Sequence, residues 1–191
     1  MFQFFKNIYK TFIYKFLPFT FCIALTNQMA YAEQNFIDIG VSPTNGSITQ
    51  SIGFGMYGLK EQNSYYFNTS FGLKPGEYSD YTHTYSGTAY DAQQVPFIFN
   101  IGKTFPIIPD GTKLPIYKSI HSYIGIGYGS LSGIAKDSSY GDSYYFDYHD
   151  KDTSGLNING GFILMFQSFG LNIGYNSFTK TPYINIGMMI N

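Results

Sequence analysis

Three histidines are the side chains of this 191-residue chain best suited to act as general bases. His83 and His149 lie in tyrosine-rich segments, and His121 is followed directly by Ser122. The residues around His121 predict a strand, in which neighbours point to opposite faces and cannot act together. The sequence contains neither a nucleophile elbow nor a phosphate-binding loop. We therefore predict that the chain is not an enzyme.

Oxygen ligands for a cation are suggested by Asp150–Gly155 (DKDTSG), at the end of an acidic stretch near residues 137–152. Side-chain oxygens alternate in this segment and a glycine stands sixth, as in the first half of a calcium-binding loop. The twelfth place is Gly161, where such a loop has a bidentate glutamate. His149 or His83 could add a nitrogen ligand. We predict no metal site and no cofactor, and expect instead a solvated or loosely cation-bridged segment.

Eight runs, in which bulky apolar residues alternate with small or polar ones, are predicted to form the strands that position these residues. One face of each run is bulky and apolar, whereas the other carries glycine, asparagine and serine with occasional tyrosine. Aromatic residues make up 20% of the chain, a content that favours an all-β protein. The runs are Phe36–Ser42, Ile48–Leu59, Asn63–Lys74, Val95–Thr104, His121–Ser130, Leu156–Phe166, Phe169–Phe178 and Pro182–Asn191.

The contrast between the two faces predicts which of them is the inside. About thirty bulky side chains facing water would forgo on the order of 45–90 kcal/mol of burial, several times the net stability of a domain. If they faced inward, the outer surface would be glycine and asparagine with few charges, unlike that of a soluble protein. Lipid around the bulky face removes the conflict. We predict an all-β, eight-stranded antiparallel up-and-down transmembrane barrel, in which every backbone group pairs.

Residues 1–32 have the pattern of a secretory signal peptide. Lysines precede the apolar run Phe16–Thr26, and Ala30 and Ala32 form a cleavage site of small residues. Cleavage there leaves 191 − 32 = 159 residues, 33–191, which we predict to be one barrel domain. This part has no arginine and no cluster of lysines, so no nucleic-acid partner is predicted.

The interior of an eight-stranded barrel is just wide enough for side chains to fill. Asp38 is the only carboxylate on the inner faces of the eight runs. It could guide a cation through a narrow path, as in a channel for small solutes. We expect instead that it is a hydrogen-bonded residue of a filled interior. The lumen candidates are Asp38, Tyr57, Tyr66 and Tyr123.

Two long connections, near residues 74–94 and 131–155, lie outside the cell if the amino end is periplasmic. Phe105–Ile120 is then a long periplasmic connection. Tyrosine offers a large contact area at a low entropic cost, which suits a binding surface. Alternatively, these rings extend the strands or lie at the level of the lipid headgroups. The candidate binding residues are Tyr78, Tyr81, Tyr85, Tyr90, Tyr140, Tyr144, Tyr145 and Tyr148.

The alternating runs and their long loops resemble the small eight-stranded Gram-negative outer-membrane barrels of the Ail/OmpX-like and opacity-protein type. The resemblance implies an outer-membrane location, contact with lipid and lipopolysaccharide, and insertion by the barrel-assembly machinery. We predict a surface role in adhesion, recognition or envelope protection, in which a surface ligand contacts the loops. A narrow channel and a lipid-modifying enzyme are the alternatives. The chain departs from the family at Met188–Asn191 (MMIN), where an aromatic residue is usual.

Overall fold

The computed structural model describes residues 35–59, 64–74, 77–78, 88–108, 118–139, 144–167 and 169–190. The predicted signal peptide, residues 1–32, lies outside these ranges. Within them, no helix is long and apolar enough to cross a membrane. The described strands are β1 (Asn35–Ser42), β2 (Ser51–Gly58), β3 (Ser64–Gly72), β4 (Glu77–Tyr78), β5 (Ala89–Ile108), β6 (Ser119–Asp137), β7 (Tyr144–Asp147), β8 (Thr153–Phe166), β9 (Phe169–Asn176) and β10 (Thr181–Ile190), with a 3-10 turn at His149–Lys151.

Eight of these strands form one closed antiparallel sheet. Strands β1, β2, β3, β5, β6, β8, β9 and β10 each pair with the next in this order. The last strand pairs with the first, from Asn35 opposite Ile190 to Val41 opposite Ile184, and closes the barrel. This confirms the predicted up-and-down barrel.

Side chains alternate between the interior and the exterior, as the period of two predicts. In β10, Tyr183 and Asn185 point inward and are 5% and 3% exposed, whereas Ile184 and Ile186 point outward and are 53% and 63% exposed. Such a continuous apolar exterior is far larger than the patches that soluble monomers expose. Lipid therefore covers it, and the chain is a transmembrane barrel whose closed sheet satisfies its own backbone.

The apolar exterior ends on one side at a lysine paired with a tyrosine. Lys103 of β5 lies opposite Tyr65 of β3, and its Nζ is 5.5 Å from the centre of the tyrosine ring. Both side chains are exposed on the outer wall. Tyrosine and lysine favour the boundary between hydrocarbon and headgroups, so this pair marks the membrane surface near the end of the barrel where β1 begins.

Strands β5 and β6 are longer than the predicted runs Val95–Thr104 and His121–Ser130. Their pairing continues from Ala89 opposite Asp137 down to Ile108 opposite Ile120. The sequence reading ended each strand where the apolar alternation stopped. Backbone pairing does not require an alternating apolar face, and the hairpin therefore continues past the predicted runs at both ends, through Ala89–Gln94 with Leu131–Asp137 and through Phe105–Ile108 with Ser119–Ile120.

The longer strands correct the predicted connections. Of the predicted periplasmic connection Phe105–Ile120, only 109–118 lies between the ends of β5 and β6. The predicted run Phe169–Phe178 corresponds to β9, which ends at Asn176, so Phe178 belongs to the following turn. The predicted loops near 74–94 and 131–155 are partly strand, at 77–78, 89–94, 131–137, 144–147 and 153–155.

One end of the barrel carries the long connections and is called the crown. Strands β5 and β6 rise there beyond the last β3 partner, at Phe97, and the last β8 partner, at Leu131. Short β7 pairs with the risen part of β6 and with β4. The crown comprises the described residues of 43–50, 73–78, 88–96, 132–152 and 177–180.

Candidate functional site

Three tyrosine rings fill the middle of the barrel. Tyr57 stacks on Tyr66 with ring centres 5.1 Å apart, and Tyr123 contacts both rings at 5.2 and 5.1 Å. Each ring is 3% exposed or less. All three are predicted lumen residues, and the structure brings them together. Glycines make the room: a Cβ at Gly174 would overlap the Tyr123 hydroxyl and the Tyr183 ring.

Asp38 is a hydrogen-bonded residue of this filled interior, 1% exposed. Its carboxylate accepts hydrogen bonds from Asn172 Nδ2 at 2.5 Å and Asn185 Nδ2 at 3.0 Å, and one from the Gly55 backbone. Asn172 Nδ2 also contacts the Tyr57 hydroxyl at 2.9 Å. This arrangement fits the structural role expected for Asp38 better than a cation path, because its oxygens already have donors.

Sequence reasoning missed the partners that connect the rings. Tyr183 is the hub: its hydroxyl lies 2.7 Å from the Tyr123 hydroxyl and accepts from Asn159 Nδ2 at 2.5 Å. Above it, Asn100 Nδ2 donates to Asn68 Oδ1 at 2.7 Å, and Asn157 Nδ2 to Asn100 Oδ1 at 2.7 Å. The alternating pattern placed these residues inside but could not say which of them meet.

Phe178 covers the interior at the crown end. A Cβ at Gly129 or Gly155 would lie against the Phe178 ring, so the ring packs over these facing glycines of β6 and β8. The Phe178 backbone N–H donates to Asn157 Oδ1 at 2.8 Å. Rings and amides therefore occupy the described interior from its middle to this cap.

A bulge in β5 positions a cluster of polar side chains in the crown that contact one another. Register shifts between Tyr90 and Gln93, so Asp91 and Ala92 face one position of β6. Asp91 has φ = +50°, a left-handed conformation that aspartate tolerates better than most residues. Bulges redirect side chains and are frequent beside functional sites.

The bulge brings Asp91 to a tyrosine, a lysine and a glutamine. Its Oδ2 accepts a hydrogen bond from the Tyr145 hydroxyl and lies 3.5 Å from Lys136 Nζ. Its Oδ1 accepts from Gln93 Nε2 at 3.4 Å. Lys136 Nζ lies 5.1 Å from the centre of the Tyr145 ring. These four side chains are called the bulge cluster.

The bulge cluster shifts two pKa values. The hydrogen bond from Tyr145, with smaller contributions from Gln93 and Lys136, lowers the pKa of Asp91. Burial, together with the same bond to the charged carboxylate, raises the pKa of Tyr145 to about 12. At neutral pH the carboxylate is therefore ionised and the tyrosine is the donor. This keeps the cluster polar, ordered and nearly neutral overall.

Acidification should loosen this part of the crown. A lowered folded-state pKa means that Asp91 stabilises the crown above about pH 3.9, its ordinary pKa, and that this is lost as the pH falls through the folded-state value. The variant Tyr145→Phe removes the main donor and moves the folded-state pKa of Asp91 back toward its ordinary value, so the acid-induced loss should be smaller and should be complete at a higher pH. Hydrogen exchange of residues 89–94 measured against pH would show this, with the exposed neighbour Tyr144→Phe as the control. Identical profiles for the two variants would contradict the assignment.

Residues 43–50 are attached to the risen part of β5 by backbone bonds. Thr49 N donates to Gln94 O at 2.9 Å, and Gln94 N donates to Ser47 O at 2.8 Å. The Gln94 side chain donates to Lys151 O at 2.7 Å, and Asn45 Nδ2 to Thr179 O at 3.0 Å. Four segments of the crown are thus joined by hydrogen bonds, and the short loop 43–50 is a structural part of it.

These attachments leave an open cleft of about 590 Å³ between loop 43–50, residues 73–74 and the bulge. This volume is typical of small-molecule sites. Its wall is formed by polar side chains together with Gly46, Ile48, Leu73 and Ala92. The polar side chains of the wall are Thr44, Ser47, Thr49, Gln50, Lys74, Asp91 and Gln93. None of the cleft residues was a sequence-predicted site residue.

The predicted tyrosines of the crown have different positions. Tyr144 is 45% exposed, Tyr90 and Tyr148 are half-buried, and Tyr145 is 5% exposed. Tyr145 therefore binds Asp91 within the protein and does not present its ring to a partner. The others lie outside the described residues or, for Tyr78, have no described side chain: Tyr78, Tyr81, Tyr85 and Tyr140.

Asp152, at the end of the acidic segment, has a structural role. Its Oδ1 accepts from Gly133 N at 2.7 Å, and its Oδ2 lies 2.8 Å from His149 Nδ1. This contact raises the pKa of His149. Among the described residues, no group of three or more histidine, cysteine or acidic side chains converges as metal ligands would. His83, the other proposed nitrogen ligand, lies outside these residues.

His121 and Ser122 point to opposite faces of β6, as expected. His121 Nε2 instead lies 3.0 Å from Ser119 Oγ, two residues away on the inner face. Both side chains are buried at the end of the barrel opposite the crown. Residues two apart in a strand point to the same face, so the sequence spacing could have indicated the pair Ser119–His121.

Comparison with family models and with curated proteins gives no match. Two solved structures share the architecture. One is Ail, the attachment invasion locus protein of Yersinia pestis, in complex with the heparin analogue sucrose octasulfate (11% identity, TM-score 0.49, covering 82% of this chain and 98% of that chain). The other is the N-terminal β-barrel domain of Pseudomonas aeruginosa OprF (8%, 0.45, 82% and 97%). The closed strand pairing of the chain itself establishes the eight-stranded barrel.

Proposed function

We propose that the protein is an outer-membrane surface protein that binds a ligand with its crown and uses the barrel as a rigid anchor. The observation that carries this proposal is the contrast between the two regions. The interior is occupied by hydrogen-bonded tyrosines and asparagines, whereas the crown is an ordered structure with an open polar cleft. Sites on rigid, pre-organised surfaces lose less entropy when they bind.

The orientation follows from the connections. In barrels of this class the short turns face the periplasm and the longer loops face outward. Strand β1 begins, and β10 ends, opposite the crown. We therefore place the crown outside the cell, and the Lys103–Tyr65 pair at the inner surface of the outer membrane. Lipid and lipopolysaccharide are then the surroundings of the outer wall.

Adhesion of vesicles tests the proposal. Outer-membrane vesicles that carry the protein should be retained on epithelial monolayers more strongly than vesicles without it. Replacing the candidate tyrosines other than buried Tyr145 and half-buried Tyr90 and Tyr148 with serine should reduce retention about tenfold, because aromatic side chains dominate binding energy at interfaces. The control replaces the same tyrosines with phenylalanine and keeps the rings. The tyrosines are Tyr78, Tyr81, Tyr85, Tyr140 and Tyr144.

Equal retention of vesicles with and without the protein would contradict a surface-binding role. Defined conductance steps in planar bilayers that Asp38→Ala alters would favour the channel instead. A lipid-modifying activity abolished by changing His83 or His149 would favour an enzyme. We propose neither, because the Asp38 oxygens have internal donors and His149 is occupied by Asp152.

A further inference from the structure

We propose that Asn45 of the crown is a site of spontaneous deamidation, which releases loop 43–50 from the turn that carries Phe178. This inference goes beyond the proposed surface-binding function and does not depend on it. Three features carry it: the sequence step Asn45–Gly46, the open geometry of the turn in which it lies, and the two hydrogen bonds that the Asn45 amide donates.

The reaction needs only the chain itself and water. The backbone nitrogen of Gly46 attacks Cγ of Asn45, the Cγ–Nδ2 bond breaks, and the departing amide takes up the proton of the attacking nitrogen and leaves as ammonia. One water then hydrolyses the succinimide ring to aspartate or isoaspartate. An Asn–Gly step favours this ring closure, because glycine has no Cβ to obstruct the approach of its nitrogen. The net change replaces a neutral amide with a carboxylate.

The turn at residues 45–48 leaves the Gly46 nitrogen available. Asn45 N donates to Ile48 O at 3.1 Å and Ile48 N donates to Asn45 O at 3.0 Å, so neither backbone bond of the turn uses the Gly46 N–H. Gly46 has φ = +59°, and apart from its chain neighbours no atom lies within 4 Å of the place that a Cβ would occupy. Asn45 and Gly46 are both exposed. The Asn45 side chain must first leave its acceptors, and local opening of this kind has a low free energy at an exposed turn.

The sequence contains a second Asn–Gly step, Asn159–Gly160, at which the structure opposes the same reaction. Asn159 is 1% exposed, and its amide is bonded to the hydroxyls of Tyr66 and Tyr183 in the interior. Gly160 lies within β8, which pairs with β6 on one side and with β9 on the other. Ring closure there would require the barrel wall to open, and paired core strands are the last part of a protein to do so. The same dipeptide is therefore predicted to react in the crown and to persist in the wall.

Deamidation would remove the donor that attaches loop 43–50 to the turn at residues 177–180. Asn45 Nδ2 donates to Thr179 O at 3.0 Å and to Lys180 O at 3.3 Å. An ionised carboxylate has no proton to donate, and its oxygens would face two carbonyl oxygens. The backbone bonds between the loop and β5 do not involve Asn45 and would stay in place. The reaction would therefore open one attachment of the loop and keep the other.

The turn at residues 177–180 also carries the cap of the barrel interior. Phe178 packs over Gly129 and Gly155, and its N–H donates to Asn157 Oδ1 at 2.8 Å. The bonds from the loop hold the two carbonyls that follow Phe178 in the chain. Their loss should therefore loosen the cap from the crown side, while the strands below it remain paired.

Prolonged incubation of the protein folded in lipid vesicles tests the reaction. In mildly alkaline water enriched in the heavy isotope of oxygen, peptide mass spectrometry should find labelled aspartate and isoaspartate in place of Asn45. Conversion of Asn159 should be at least about tenfold slower, because its strand must first open. In the control variant Asn45→Gln the reaction should be strongly slowed, since the glutamine side chain would have to close a larger ring. No conversion of Asn45, or equal conversion of Asn45 and Asn159, would overturn the inference.

Hydrogen exchange of two variants tests the release of the loop. Asn45→Asp has the carboxylate of the product from the start, and should exchange at least about tenfold faster than the unchanged protein at residues 178–180, as expected for the loss of these hydrogen bonds. Exchange at Gln94 should stay the same. Thr44→Asp, at an exposed neighbour in the same loop, adds the same charge without removing the donor and should leave residues 178–180 unchanged. Unchanged exchange in Asn45→Asp, or an equal increase in Thr44→Asp, would overturn the release.

Discussion

Ile186→Arg is expected to destabilise the folded barrel in lipid by about 2–4 kcal/mol, the cost of a cation at the middle of a bilayer. Ile186 is the central outward residue of β10, 63% exposed, between Ile39 of β1 and Leu171 of β9. Its exposure makes the prediction specific, because in water such a change would cost almost nothing. Denaturant unfolding from lipid vesicles would measure it.

The same substitution at a position near the membrane surface provides the control for this prediction. Ile190 lies on the same face at the end of β10, opposite Asn35, and an arginine there should cost about 0–1 kcal/mol. Ile186→Leu should be close to neutral. Equal effects of arginine at both positions would contradict the membrane belt. A fully stable Ile186→Arg protein in plain buffer would contradict the membrane assignment altogether.

Asp38→Ala is expected to destabilise the barrel by about 2–5 kcal/mol, because it leaves buried amide donors without an acceptor. The carboxylate holds Asn172 and Asn185 at once, and Asn172 in turn contacts the Tyr57 hydroxyl. The loss should therefore loosen the ring cluster as well. Denaturant unfolding in lipid, with tyrosine fluorescence as the readout, would measure both effects.

Asp38→Asn keeps one acceptor oxygen in place and should lose less, about 1–2 kcal/mol. Ser42→Ala, at a buried inward position of the same strand, is the control and should cost less than either. If Asp38→Ala were as stable as Ser42→Ala, the carboxylate would have no structural role. A functional role for the Asp38 carboxylate would then replace the structural role proposed here.

The face of each strand could be predicted from sequence because a period of two allows only two answers. Asp38, Tyr57, Tyr66 and Tyr123, all on the inward face of that alternation, are buried in the structure. Their partners could not be predicted, since Asn172 is 134 residues from Asp38. Which inward residues meet depends on the stagger between strands, and alternation leaves that stagger undetermined.

The crown shows the other limit of sequence reasoning. Tyr145 lies in a tyrosine-rich segment, where exposure is the natural expectation, yet it is buried against Asp91. The cause is the bulge after Tyr90, which re-aims a single side chain. Nothing in the alternation signals a bulge at that place. The cleft was missed for a related reason, since loop 43–50 has few large side chains and its role arises from backbone bonds to β5.

The seam between β1 and β10 has a consequence for assembly. Of the eight described barrel strands, β1 is synthesised first, and its second partner, β10, is synthesised last. Until then β1 presents unpaired N–H and C=O groups, which hydrocarbon cannot satisfy. An incomplete sheet in the bilayer interior would carry these unpaired groups, so we expect closure of the barrel and its insertion to occur together. Removal of Met188–Ile190 from β10 would leave Asn35, Phe36 and Ile37 of β1 without their partners across the closing pair of strands.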